Sequence, residues 1–511
     1  MQLIVFCTLA GLVTGLMPLA ANAQEENDQS PLLLVKIRNI EQLLSDVEKL
    51  IPPDQNAQVT KQIGMVRMML QGTDWIDPER SIVVGIFMKD AKINGVVLIP
   101  FRKPNPGFQQ SLNAIGRADY YVTTFPPQQA FTVSPSVEES LFKASIAPSH
   151  GSLVVEAPAG KLLSMFEAPM AAALKKMEEA QSAQPTQPGA PPINPQAVVS
   201  DILNVLKQAD TVRFGMDFSG NVFSLLFGVD AVPNTLLANA LVDPDGETRL
   251  MDYPIDMPLQ FRSRAPMAGM VELQKLVYGK LYSQLGINFD DLAEFTKSFT
   301  GEMAGGLKID ANGLSMEVIS ILQPGINGED FLQKTYLPWL ERSNQQISKL
   351  IAKNANPPRA PFYKRTADST VSGIKVAGIK ANLDAVIPPN AKKPEILDKM
   401  SFEMRLAAVG DMLLIASNDA QIEELIKIAR SLVKTPAHGP TFQFDMNLGA
   451  FLKDIKSLLP PGQNTFVVPD NLGNVTMTAE MKDGQVNSRL SFNIDEIKKL
   501  VKIGKAQTVT K

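Results

Sequence analysis

Two long stretches of this chain present strands and helices in the same order, and this repetition constrains the fold more than any single motif. In the first, Leu32 to Ile37 reads as a strand and Asn39 stands where a helix cap belongs. Ile40, Leu43, Leu44, Val47 and Ile51 then recur at helical spacing as one apolar face. A second helical segment with Met65, Met68 and Met69 follows. Strands Ser81 to Met88 and Ile93 to Phe101 come next, with polar Lys89 and Asp90 between them. A short helix near Gln109 to Ile115, a strand around Asp119 to Thr124 and a strand-helix unit from Leu153 to Ala168 complete the stretch, and Pro169 should kink or end that last helix.

Downstream the series returns. Leu259 to Arg264 reads as a strand, and Met270, Leu273, Val277, Leu281 and Leu285 form a helical face that ends at Gly286. Asp290 to Phe299 supplies a second helix. Met303 to Ile309 and Leu314 to Leu322 make a hairpin around Asp310-Ala311-Asn312-Gly313, where Asn-Gly offers the positive φ angles of a tight turn. A long helix from Glu329 to Ala352 leads to strands near Ser372 to Leu383, Phe402 to Ala408 and Met412 to Ala416. A helix with Ile422, Leu425, Ile426, Ala429 and Val433 closes the series.

Two further hairpins correspond: Val212 to Phe218 with Val222 to Val229, and Val475 to Met481 with Val486 to Phe492. The separations between matched starts fall into two groups. Leu32 with Leu259 and Val83 with Ala304 agree closely, and so do Val154 with Leu413 and Val212 with Val475, at a wider spacing. One tandem duplication with a later insertion between residues 323 and 400 accounts for both, and the loop Pro388 to Pro394 lies in that interval. The expected organisation is residues 1–23 as a signal peptide, 24–242 as a first α+β repeat, 243–258 as a linker and 259–511 as a second repeat. A Pro-rich surface loop at 184–195 interrupts the first repeat. Each repeat opens β-α and continues in hairpins, so the fold class is α+β: two similar lobes with largely antiparallel sheets covered by helices on one face.

The leader sets the expected address. An apolar run from Leu3 to Met17, then Pro18 and Ala21-Asn22-Ala23, has the form of a secretory signal with a small-residue cleavage site, although it lacks any Lys or Arg. The mature chain then starts at Gln24, outside the cytoplasm, periplasmic or secreted. Cleavage removes Cys7, the single cysteine, so stability rests on burial without disulfides. After the leader no apolar run is long enough to span a bilayer. With 45% hydrophobic and 20% charged residues and a net charge of −4, the chain has no electrostatic footprint for nucleic acid. Lys498, Lys499, Lys502 and Lys505 form a locally basic end that reads as the solvated face of a helix.

Chemistry-bearing motifs are sparse. His150 and His438 are the only histidines, and with no cysteine left they supply too few ligands for zinc. A Ser-x-x-Lys spelling at Ser372-Gly373-Ile374-Lys375 falls within an expected strand, where residues three apart point to opposite faces. There is no nucleophile elbow, no Walker loop and no dinucleotide fingerprint. Asp243, Asp245 and Glu247 are weak calcium candidates without the EF-hand spacing. Carboxylate pairs assembled across the fold remain open to a hydrolase, although aromatics, at 6%, are few for a sugar cleft. The 22 methionines, with Met65, Met68 and Met69 and also Met267 and Met270 at helical spacing, read first as pliable core filler. Read second, they are surfaces between two lobes for an apolar ligand or partner segment. The expected function is an exported, non-enzymatic binding or scaffold protein of the bacterial cell envelope, with an unknown protein or small apolar ligand and no cofactor. A carboxylate-based hydrolase of envelope polymers and an apolar-ligand carrier are the alternatives.

Overall fold

The computed structural model describes residues 30–50, 56–70, 72–89, 92–125, 133–164, 172, 195–244, 246–284, 288–310, 313–352, 363–382, 402–459, 467–469, 472–496 and 498–499. The leader, the Pro-rich loop up to residue 194 and the loop at 388–394 lie outside this set. The described residues divide into two compact units. One takes the chain up to residue 172 together with 209–230 and 489–499; the other takes 195–208 and 231–488.

The first unit begins with β1 (Leu33–Arg38), α1 (Ile40–Leu50), α2 (Asn56–Met69) and the hairpin β2 (Ser81–Lys89) and β3 (Lys92–Pro100). Asn39 caps α1 as expected, its Oδ1 accepting from the Gln42 amide at 3.1 Å. Then come α3 (Pro106–Ser111), β4 (Ile115–Gly116), β5 (Tyr120–Phe125), α4 (Pro135–Ile146), β6 (Leu153–Pro158), β7 (Ala209–Ser219) and β8 (Val222–Ala231). The short helix thus ends before Ile115, which is exposed in a two-residue strand. Antiparallel pairing runs β5-β3-β2-β1-β6-β7. One line of residues crosses the sheet: Lys36 faces Val83, Val83 faces Leu98 and Leu98 faces Val122.

Helices cover both faces of this sheet, not one. Val83, Leu98 and Val122 pack against Val137 and Leu141 of α4. Ile82, Val84, Ile86, Val97 and Ile99 pack against Leu44, Ile63, Val66 and Phe108 on the other side. The run Ile82-Val83-Val84 is apolar without alternation because each face of β2 is buried. Trp75 seals the second layer, its indole N–H donating to the carbonyls of Leu70 at 2.9 Å and Gly72 at 3.0 Å. Four charges form a row across β1, β6, β7 and β8. Lys36, 7% exposed, binds Glu156 at 3.0 Å, while Arg213 lies 3.8 Å from Glu156 and pairs with Asp230.

The second unit holds α5 (Pro195–Leu206), α6 (Leu236–Ala240), β9 (Glu247–Thr248), β10 (Leu259–Arg264), α7 (Met267–Gln284) and α8 (Phe289–Lys297). The hairpin β11 (Phe299–Asp310) and β12 (Gly313–Leu322) follows, so Phe299 belongs to a strand and not to the helix before it. Next, α9 (Gly328–Phe331) passes through one π turn (Leu332–Tyr336) into α10 (Leu337–Ala352). The unit continues with β13 (Tyr363–Val371), β14 (Ile374–Ala381), β15 (Glu403–Val409), β16 (Met412–Ala416), α11 (Asp419–Ser431), β17 (Thr435–Pro436), β18 (Phe442–Asn447), α12 (Leu448–Leu458) and β19 (Asn474–Lys482). The last strand, β20 (Gln485–Asn493), starts here. The strand expected from Ser372 is in fact the second arm of a hairpin. Its first arm, β13, is too charged to show an apolar pattern.

Antiparallel pairing in this unit runs β13-β14-β15-β16-β12-β11-β10-β18-β19. Arg262 faces Ala304, Ala304 faces Ile319 and Ile319 faces Leu414. By position in the pairing order, β16 stands where β5 stands and β18 where β6 stands. The sequence match of Leu413 with Val154 sets β16 beside β6, which hold different places in the two pairing orders; β18 alternates apolar and polar residues without an apolar run. Ile422, Leu425, Ile426 and Ala429 of α11 are all buried against Ala304, Ile319 and Leu414, whereas Val433 is exposed beyond the helix end. Residues 243–258, expected as a linker, place Leu250, Tyr253, Ile255 and Met257 in this same core.

Candidate functional site

Four helices of the second unit line an open cleft of about 670 Å³, within the range of small-ligand sites. Its walls are Asp201 and Asn204 on α5, Leu236 on α6, Glu272, Lys275, Leu276 and Gly279 on α7, and Asn288, Phe289 and Asp290 at the start of α8. Local sequence sets this geometry. Gly269 lets α7 approach α6 closely, since a Cβ there would sit 2.7 Å from the Asn239 carbonyl oxygen. Thr235 caps α6 by accepting from the Ala238 amide at 3.2 Å, and the Gln208 side-chain oxygen accepts from the Leu237 amide at 3.0 Å. Asn288 caps α8, its Oδ1 accepting from the Asp290 amide at 3.0 Å, and Asp290 and Asp291 in the first turn suit the positive end of the helix.

The cleft has an apolar side and an acidic side. Phe289 is buried against Val271 and Ala293, joined by Leu236 and Leu276 on the lining. Lys275 donates to Asp290 at 2.5 Å, and Lys297, outside the lining, donates to Glu272 at 2.8 Å. The hydrogen bond to Asp290 raises the Lys275 ammonium above its usual pKa, with a further contribution from Glu272. Asp201 is only 3% exposed on the opposite wall. Such a lining can hold a small molecule by shape, apolar contact and carboxylate acceptors. Among the described residues its lining holds no Ser, Thr, Cys or His.

The residues singled out in the sequence lie elsewhere. Asp243 pairs with Arg264, which also donates to the Pro244 carbonyl at 3.2 Å, while Glu247 pairs with Lys434 at 3.1 Å on the β9–β17 ladder. The two acids are thus turned to separate cations, and Asp245 lies outside the described residues. Among the described residues no group of three or more His, Cys, Asp or Glu is placed to hold a metal. Ala21, Ala23 and Gln24 at the expected cleavage site also lie outside them. His150 is exposed; His438 contacts the Pro436 carbonyl at 2.9 Å and Asp252 at 3.0 Å, and both contacts raise its pKa. Ser372 and Gly373 are the turn between β13 and β14, with φ of 52° and 78°, so Ser372 is not in a strand and does not share a face with Lys375. Among the described residues no methionine lines the cleft, and Met68 is exposed.

Two carboxyls are held in a more protonated state than usual. Burial raises Glu317, with Asp256 and Glu424 adding to it against a hydrogen bond from Tyr253, and burial raises Asp454. Neither lines the cleft. A separate apolar stripe lies on β7 and β8, where Phe214 and Phe227 are exposed with ring centroids 5.1 Å apart and Leu225 is exposed beside them. Among the described residues no helix is long and apolar enough to cross a membrane. Sequence reasoning missed the cleft because its donors come from four helices, and only the Asn288-Phe289-Asp290 cap carries a local signal.

Comparison with protein-family models, curated proteins and solved structures finds no match for this chain.

Proposed function

We propose that the chain is an exported, non-enzymatic binding protein of the bacterial cell envelope, built by tandem duplication of an α+β unit, that holds a small ligand in the cleft between α5, α6, α7 and α8. The observation that carries this reading is the cleft itself: ligand-sized, part apolar, and lined by carboxylates and amides that can orient a guest. The carboxylate hydrolase alternative has less support, because the two acids with raised pKa values stand away from the cleft.

Pairing order and register support the duplication. β1, β2, β3, β5, β6 and β7 correspond in order to β10, β11, β12, β16, β18 and β19. On this alignment Lys36 matches Arg262, and the buried line Val83, Leu98 and Val122 matches Ala304, Ile319 and Leu414. The matched partners agree too: Leu34 faces Glu156 where Gln260 faces Asp445. The agreement that does not follow from the alignment itself is burial: Val83, Leu98 and Val122, like Ala304, Ile319 and Leu414, are all buried.

Gly279→Phe tests the binding reading. A Cβ at Gly279 meets only the Lys275 Cγ, at 3.7 Å, so the backbone accepts a side chain there, and a benzyl group would fill the lumen. Native mass spectrometry of the protein taken from its own cell envelope should show bound small-molecule mass that Gly279→Phe loses. Bare mature mass in the unsubstituted protein, or adduct mass retained by the variant, would refute the assignment.

A further inference from the structure

We propose that residues 250–257 form a strap over the core of the second unit with a proton-dependent latch: the His438 imidazolium on Asp252 and the protonated Glu317 carboxyl beside Tyr253 fasten it, and loss of these protons as pH rises loosens it. The latch residues do not line the cleft, so this device is independent of ligand binding there.

The strap has two faces. Met251, Tyr253, Ile255 and Met257 are buried, while Asp252, Pro254 and Asp256 alternate with them on the exposed side. Gly306 of β11 permits the close approach, since a Cβ there would stand 2.7 Å from both Ile255 Cγ2 and Met257 Cβ. One end is anchored by ordinary pairs. Glu302 accepts from Thr248 Oγ1 at 2.6 Å and from the Leu250 amide at 2.7 Å, and Arg249 pairs with Asp411 at 2.8 Å. In its middle Arg262 donates to the Tyr253 carbonyl at 2.8 Å. Two further contacts of the strap depend on a proton.

Geometry sets the charge state of His438. Its Nδ1 lies 2.9 Å from the Pro436 carbonyl oxygen and its Nε2 lies 3.0 Å from Asp252 Oδ1. A carbonyl and a carboxylate only accept, and a neutral imidazole has a single N–H. Both contacts are therefore hydrogen bonds only when the ring is a cation, and deprotonation turns a nitrogen lone pair toward one of them. The Pro436 carbonyl and then Asp252 raise the His438 pKa, and Arg264 of β10 opposes them more weakly.

The second contact lies under the strap. Glu317 on β12 accepts from the Tyr253 hydroxyl, and its charged neighbours are Asp256 of the strap and Glu424 of α11; Lys427 lies 3.7 Å from Glu424. Burial raises the Glu317 pKa, the tyrosine opposes this, and both acids add to it. Ionised Glu317 would bring a further negative charge against Asp256 and push the strap outward. For His438 and Glu317 alike the folded pKa lies above the unfolded one. Each therefore fastens the strap fully below its unfolded pKa and lets go as pH rises through the folded value.

The test is hydrogen exchange of the Tyr253 amide in the full chain, because this amide donates to the Leu250 carbonyl at 3.1 Å and reports strap opening. Corrected for intrinsic rates, opening should rise about threefold or more between roughly pH 5 and pH 8. Glu317→Gln should hold the strap closed further into the alkaline range, Asp252→Asn should open it at the acidic end, and the double variant should show no pH dependence. Proton NMR of the unsubstituted chain, with the ring signal assigned by its loss in His438→Gln, should place the His438 pKa above the ordinary histidine value; that readout requires no variant of Glu317 to fold. Opening that is equal at both ends of the range, or pH dependence that survives in the double variant, would overturn the proposal. So would a His438 that titrates at or below the ordinary value.

Discussion

Leu98→Ala is expected to destabilise the first unit by about 3–4 kcal/mol, through transfer and cavity effects together. Leu98 is wholly buried on β3, facing Val83 and Val122 across the sheet, with Leu141 of α4 above it. Truncation removes three carbons, worth about 0.8 kcal/mol each in transfer, or roughly 2.4 kcal/mol. The remainder comes from the void. Val83 and Val122 are β-branched and stiff on a paired backbone, so the site collapses little. For a unit of roughly 150–250 residues, about 2–4 °C per kcal/mol gives a fall in melting temperature of about 6–16 °C. Trp75, 2% exposed in the same unit, and Trp339 in the other are the only tryptophans. In a Trp339→Phe background, emission follows Trp75 alone. A shift below about 3 °C would show that the line Val83-Leu98-Val122 is not the packed centre described, whereas the volume-conserving Leu98→Met should cost under about 1.5 kcal/mol.

Ile319→Ala, at the matching position in the second unit, should lower the Trp339-reported transition comparably; a negligible effect would count against the register match. Glu317→Gln should raise the melting temperature at pH 7. A carboxyl whose folded pKa is raised stabilises the fold below its unfolded pKa and loses that contribution as pH rises through the folded value, so the gain should vanish in acid. Asp411 works in the opposite sense. Its hydrogen bond from Arg249 lowers its pKa, so stability is present above the unfolded carboxylate value and is lost as pH falls through the folded one. Asp411→Asn should cost about 1 kcal/mol or less, because the carboxylate is partly solvated and screened. Gly373→Ala, at φ +78°, should destabilise the β13–β14 hairpin by about 1–2 kcal/mol, while Ser372→Asn should be neutral or better in chemical denaturation. N-terminal sequencing of exported protein should begin at Gln24; retention of the leader would remove the basis for the export reading.

The elements legible in the sequence were those with a local apolar run, a helical apolar stripe or a chemically marked turn. Leu259–Arg264, the Met412–Ala416 strand and the α11 face were all visible from local pattern. Three kinds of element were not. β13 is charged along an edge, where sheet pairing needs no apolar pattern; α4 begins after residues rich in proline and serine; and β18 with α12 follows a Gly-Pro break that reads as a loop. Helices on both faces of the first sheet were foreshadowed by the unbroken run Ile82-Val83-Val84, which alternation-based reading passes over. The cleft was the least legible feature, since its acids are ordinary surface spellings until four helices bring them together.

On the duplication proposed above, the row of charges across the first sheet has a consequence for assembly. Two sets of strands with similar pairing orders invite trading of partners, since each carries a buried apolar line. The polar rows differ: Lys36, Glu156, Arg213 and Asp230 in one, Arg262, Asp445 and Thr476 in the other, with Thr476 donating to Asp445 at 2.8 Å. Were β19 to settle beside β6, Thr476 would occupy the place of Arg213, and Asp230 would lose its guanidinium. A half-buried acid left that way costs about 1–3 kcal/mol or more, enough to disfavour the exchange at least several-fold. On this reasoning the row contributes little net stability and instead gives each strand an address, telling apart strands that hold similar places in the two pairing orders.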